Sequence, residues 1–219
     1  MRSELEGVAV SKAKENAKQI VGAGAYATAA DFKQIFTEDV NGLYLLSLLL
    51  TGNHKKAEEC FVEGIGESAN GNHVFKEWAR SWARRTIIQC AIRVIAPRER
   101  TLSESRTADV ARVADKVPMD LQEEVCAILG LAPLERFVFV MSVLERYSDH
   151  DCSILLGLAR RDIAMVRVRA MQQLGTSLGL MHNNQAHGWE NSAALEDIDM
   201  GLMVTQHFAT PAWNRSLSQ

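Results

Sequence analysis

The stretch from Leu134 to Leu174, LERFVFVMSVLERYSDHDCSILLGLARRDIAMVRVRAMQQL, limits the fold more than any other part of the chain. Leu134, Phe137, Val138, Met141 and Leu144 recur at helical spacing up to Tyr147-Ser148-Asp149, where Ser148 or Asp149 is placed to cap a following helix by accepting orphan backbone N–H bonds. That second helix is short and ends at Leu156. Gly157 supplies the permissive backbone of a tight turn, and a third helix starts near Arg160 with Ile163, Val166, Ala170 and Leu174 inward. Two short helices around a glycine turn make either a helix-turn-helix, whose second member fits a major groove, or a plain helical hairpin in an all-α core. Spacing alone does not separate the two.

The 219 residues suffice for one large core or two small ones. The 24 basic and 27 acidic residues give a net charge of −3, which says little about partners because clustering, not the total, creates a binding field. Cys60, Cys90, Cys126 and Cys152 are widely spaced, each on or beside an apolar helical face. They read as reduced core residues of a cytoplasmic protein, with no disulfide framework, metal or cofactor expected. No continuous apolar run follows the N-terminal charges, so no signal peptide is expected, and Leu43 to Leu50 is far too short to span a bilayer.

In chain order, 1–30 reads as a polar, then small-residue-rich N-terminal extension with a thin-faced helix over Val10 to Val21. Asp31 opens a capped turn bearing Phe32 and Phe36, and Val40 to Leu50 continues as a helix buried on most of its surface and stopped by Thr51-Gly52-Asn53. The next helix, to Ile65, turns Ala57, Cys60 and Phe61 inward and Glu58, Glu59, Glu63 and Glu67 outward.

A loop with Asn70, Gly71, Asn72 and His73 precedes VFKEWARSWARRTIIQCAIRVI. Phe75, Trp78, Ala79, Trp82, Ala83, Ile87, Cys90, Ala91 and Val94 form an expected inward stripe, with Trp78 as core. Val74 to Arg100 holds seven basic residues (Lys76, Arg80, Arg84, Arg85, Arg93, Arg98, Arg100) against Glu77 and Glu99. Arginine so concentrated on one helix is the electrostatic signature of phosphate-backbone contact. No paired carboxylates, nucleophile triad or phosphate loop emerges, Gly64-Ile65-Gly66 being too small a signal, so an enzyme is not expected.

Leu131-Ala132-Pro133-Leu134-Glu135-Arg136, Tyr147-Ser148 and Leu156-Gly157, together with the helix from Arg160, resemble region 4 of bacterial RNA polymerase sigma factors of the extracytoplasmic-function group. Leu43 to Asn53, Ala57-Glu58-Glu59-Cys60-Phe61-Val62-Glu63 and Phe75-Lys76-Glu77-Trp78-Ala79-Arg80-Ser81-Trp82-Ala83-Arg84-Arg85 resemble region 2 of the same family. The two halves stand in family order, and the resemblance covers Asp31 to Leu174.

The resemblance implies an all-α chain of two small helical domains: a region 2-like domain over 31–96, a linker over 97–117, a region 4-like helix-turn-helix domain over 118–175 and a C-terminal extension over 176–219. The implied function is to bind core RNA polymerase and direct it to promoter DNA. The polymerase does the chemistry, and the tether raises the effective concentration of the second domain once the first has bound. By the same resemblance, Glu59 and Glu63 would dock on polymerase. Lys76, Arg80, Arg84 and Arg85 would hold a separated strand, with Asn70, Asn72 and His73 in a loop that takes an unstacked base. Arg160, Arg161, Arg167 and Arg169 would contact phosphates or guanine edges in a major groove.

The chain departs from the family in several places. Ala164, Val166 and Met171 stand where it usually carries cations, the loop from Ile65 to Val74 is short, and the usual glutamine after Glu59 is absent. Beyond Gly175 the family normally stops, whereas here a polar segment with His182 and His187 leads to an expected amphipathic helix bearing Leu195, Ile198, Leu202 and Met203, either docked or partner-binding. These losses favour the alternative that the chain is a sigma-like interaction protein, binding an anti-sigma factor or other regulator without reading DNA.

Overall fold

The structure, a computed structural model, describes residues 25–70, 73–97, 121–179, 206 and 208. Among them are eight α-helices and no strand, so the all-α expectation holds. The helices are α1 (Ala29–Glu38), α2 (Val40–Thr51), α3 (His54–Asn70), α4 (Ala79–Ile95), α5 (Gln122–Gly130), α6 (Pro133–Phe139), α7 (Asp149–Leu156) and α8 (Arg160–Ser177). The expected helices over Val10 to Val21 and Leu195 to Met203 lie outside the described residues, as do Asn72 and all of the 97–117 linker except Pro97.

Local chemistry sets most helix ends. The first helix begins two residues before Asp31, because Thr28 is its cap: Thr28 Oγ1 accepts the Asp31 N–H at 3.3 Å while the Asp31 carboxylate accepts the Thr28 N–H at 2.7 Å. Gly52 (φ 68°) closes α2 in the left-handed conformation that glycine adopts without strain, and Asn53 Oδ1 then accepts the Lys56 N–H to start α3. Ser148 caps α7 through the Asp151 N–H at 3.1 Å, as its position predicts.

The helices α1 to α4 pack together, with α4 lying along α3 and α2. Gly64 of α3 allows the close approach: a Cβ there would come within 2.6 Å of Ile87 on α4. In the second half α8 packs on α6 and α7. The helix α6 continues as a π turn over Val140–Leu144 and ends at Arg146, a non-glycine residue at φ 57° that turns the chain so that the Tyr147 N–H reaches Met141 O at 2.9 Å.

The halves touch. Helix α2 also packs against α5 and α6, which explains why Leu43, Leu46, Leu48, Leu49 and Leu50 are all buried around its circumference. One apolar cluster runs from Phe32 to Leu174 and takes in Phe208, whose ring meets Phe139 edge-on at 5.1 Å. No described helix is long and apolar enough to cross a membrane.

Candidate nucleic-acid interface

Arg80 and Arg84 stand one helical turn apart on α4 and Lys76 lies in the 3₁₀ turn just before it, so the three follow one another as a row of cations. Each meets a carboxylate. Lys76 Nζ lies 3.4 Å from Asp31, Arg80 pairs with Glu38, and Arg84 donates to Asp39 at 3.3 Å and to Glu145 at 2.7 Å. Exposure divides the row. The Lys76 and Arg80 side chains are 50% and 61% exposed, and ion pairs so open to water contribute only about 0–1 kcal/mol, so a phosphate can replace their partners. Arg84 is 19% exposed and spans the two halves of the molecule, since Glu145 follows the π turn. Burial opposes its charge, but hydrogen bonding and charge from Glu145, then charge from Asp39, outweigh that and raise its pKa above the ordinary arginine value. Arg85, half-buried beside it, lies close enough to Tyr147 and Asp151 in the second half to favour the ionised form of each.

Asp39 is the costly member of this network. It is buried, its Oδ1 has no hydrogen-bond partner among the described residues, and burial raises its pKa even though Arg84 attracts the carboxylate form. A raised carboxyl contributes most below its unfolded value of 3.8, and that contribution is lost as pH rises through the higher folded value. Asparagine has no proton to lose. The melting temperature of Asp39→Asn relative to the native chain is therefore expected to climb from acid to neutral pH, and a pH-independent difference in paired thermal melts would contradict this assignment.

At the head of α4 the structure corrects the sequence reading. Trp78 and Phe75, expected in the inward stripe, are 60% and 39% exposed. The expected stripe extends α-helical spacing back to Val74. Instead, Lys76–Trp78 form a 3₁₀ turn, and Phe75 pairs with Tyr26 in an isolated antiparallel bridge fixed by Ala27 N–H to Val74 O at 2.7 Å. Ala79, Ala83, Ile87, Cys90 and Ala91 keep the inward register. The displaced rings form a cluster: Tyr26 stacks on Phe75 at 4.8 Å, Trp78 meets Phe75 edge-on at 5.5 Å and His73 meets Tyr26 at 5.5 Å. Tyr26 escaped sequence reasoning because a bridge between residues so far apart leaves no local periodicity.

On the acidic face of α3, Glu59 is exposed without an ion pair among the described residues, whereas Glu63 is engaged. Glu63, Glu67 and Cys90 gather their ligand atoms as a metal site would, yet the Arg93 guanidinium sits among them, 3.1, 2.6 and 3.0 Å from the three. Burial and Glu67 push the Cys90 thiol up to about 12, so it stays protonated.

In the second half, Gly157 (φ 68°) joins α7 to α8, and Arg160 and Arg161 are exposed at the start of α8, with Arg160 against His150 at 2.7 Å. Arg167 binds Asp149 through both terminal nitrogens and Arg169 lies 4.0 Å from Glu135. Val166 is 2% exposed and faces the core, where packing calls for an apolar side chain. The exposed side instead presents Met165 and Val168. Asn70 is exposed at the end of α3. Comparison with protein-family models, with curated proteins and with solved structures gave no match.

Proposed function

We propose that this chain is a sigma factor-like transcription initiation protein of the cytoplasm, a non-catalytic subunit that binds core RNA polymerase and directs it to promoter DNA. The observation that carries the reading is the aromatic cluster in which exposed Phe75 and Trp78 gather on half-buried Tyr26, beside Lys76 and the largely exposed Arg80. Exposed rings next to cations suit a separated DNA strand, since bases stack on aromatic faces while the cations meet phosphates. In this reading Arg160 and Arg161 contact duplex DNA from the start of α8, and Glu59 contacts polymerase.

Run-off transcription with purified core polymerase and genomic fragments tests the proposal. Trp78→Ala is expected to weaken binding to forked promoter DNA by roughly five- to a hundred-fold, the worth of about 1–3 kcal/mol of base stacking. Its folding cost should be about 1 kcal/mol, because the ring is mostly in water and loses chiefly its contact with Phe75. Severe unfolding of this variant, or no promoter-dependent transcript from the native chain, would count against the reading. The second reading, a sigma-like protein that binds a regulator such as an anti-sigma factor without reading DNA, is favoured by Met165 and Val168 on the open side of α8 and by the engagement of Arg167 and Arg169 with carboxylates.

A further inference from the structure

On α8, Arg161, Met165 and Val168 follow one another at four and three residues, so they share one face of the helix. All three are exposed. Ile163, Val166, Ala170 and Leu174 fill the opposite side and are buried, so the core already has its apolar stripe and Met165 and Val168 lie outside it. The guanidinium groups further along the helix are drawn to carboxylates on other helices: Arg167 binds Asp149 through both terminal nitrogens, and Arg169 lies 4.0 Å from Glu135. Arg161, in the first turn, forms no ion pair among the described residues.

We infer that Met165 and Val168 read the methyl groups of thymines, so that the duplex element selected by α8 is specified by thymine where a forked arginine would specify guanine. The inference rests on the proposed function, which sets α8 against duplex DNA, and deepens it by naming the base. A guanine edge in the major groove offers two acceptors and needs a donor, which neither side chain has, whereas the thymine C5-methyl asks only for apolar contact. Charge favours DNA as the occupant of this face over an apolar protein surface. Exposed Arg160 and Arg161 stand at its head, at hand for phosphates, which fix the register of the helix without reading sequence.

The test selects duplexes from a random-sequence library with the full chain on core polymerase, then replaces the thymines of the selected element one at a time by deoxyuridine, which pairs as thymine does and lacks only the methyl carbon. At one or two positions the native complex is expected to bind about four-fold more weakly, the worth of one buried methyl. This arm changes only the DNA, so it does not depend on how a variant folds. The Met165→Ala, Val168→Ala double variant should bind the thymine and deoxyuridine duplexes alike, and thermal melting checks that it folds. Arg161→Ala should weaken both duplexes equally, as loss of a phosphate contact does. If DNA is selected and deoxyuridine binds as tightly as thymine at every position, the methyl readout is wrong and the proposed function stands. If, in addition, the double variant loses its hold on core polymerase, the face belongs to a protein partner. If no sequence is enriched, the proposed function falls and this inference falls with it.

Discussion

Arg136→Ala is expected to lower the unfolding free energy by about 2–4 kcal/mol, a large loss for one polar side chain. Arg136 is 6% exposed, and its guanidinium donates to Leu50 O at 3.2 Å and lies 3.5 Å from Leu129 O. These carbonyls belong to the last turns of α2 and α5, where backbone acceptors have no partner within the helix and the helix dipole favours a cation. One side chain therefore serves two helix ends, one in each half. It also packs against Gly52, where a Cβ would lie 3.0 Å from a guanidinium nitrogen. Alanine removes the donors and leaves a hole. Methionine refills much of the volume without restoring a donor, so Arg136→Met should recover the packing part of the loss and none of the hydrogen bonding. Lysine keeps the charge but loses the planar fork that reaches two carbonyls at once. Urea unfolding of the three variants checks the order, and a loss below about 1 kcal/mol for alanine would show that water already satisfies Leu50 and Leu129.

Phe137→Ala is expected to cost about 3–5 kcal/mol, since the ring is fully buried in α6 and its removal leaves a cavity that packed neighbours fill only in part. Where that loss is felt matters more than its size. The apolar cluster is continuous from α1 to α8 through α2, so the described helices should unfold in one transition. Amide hydrogen exchange would report this directly. The slowest amides of α4, in the half that lacks the mutation, should exchange faster in Phe137→Ala along with those of α8. Protection of α4 at the native level would mean that the halves are separate cooperative units in contact.

The positions of the helices and much of their inward register could be read from the chain alone. Ile163, Val166, Ala170 and Leu174 are buried as their spacing requires, Gly52 and Gly157 adopt the left-handed backbone expected of them, and Ser148 caps α7. These features depend on residues three or four apart, the range over which helical periodicity and capping act. Trp78 marks where that logic stops, because a bridge to Tyr26 replaces the first turn of the expected helix and rotates the ring into solvent.

Tertiary structure decided the rest. From composition and spacing, Arg80 and Arg84 are the same kind of residue at successive turns of one helix. What separates them is a carboxylate 61 residues away from Arg84 in sequence. Likewise, Arg136 lies 86 residues from the carbonyl of Leu50 that it satisfies. Local pattern fixes which side of a helix is apolar and which is charged, because backbone geometry alone sets the repeat. It does not fix which charged side chains stay in water, because that depends on the surface another part of the chain brings against them.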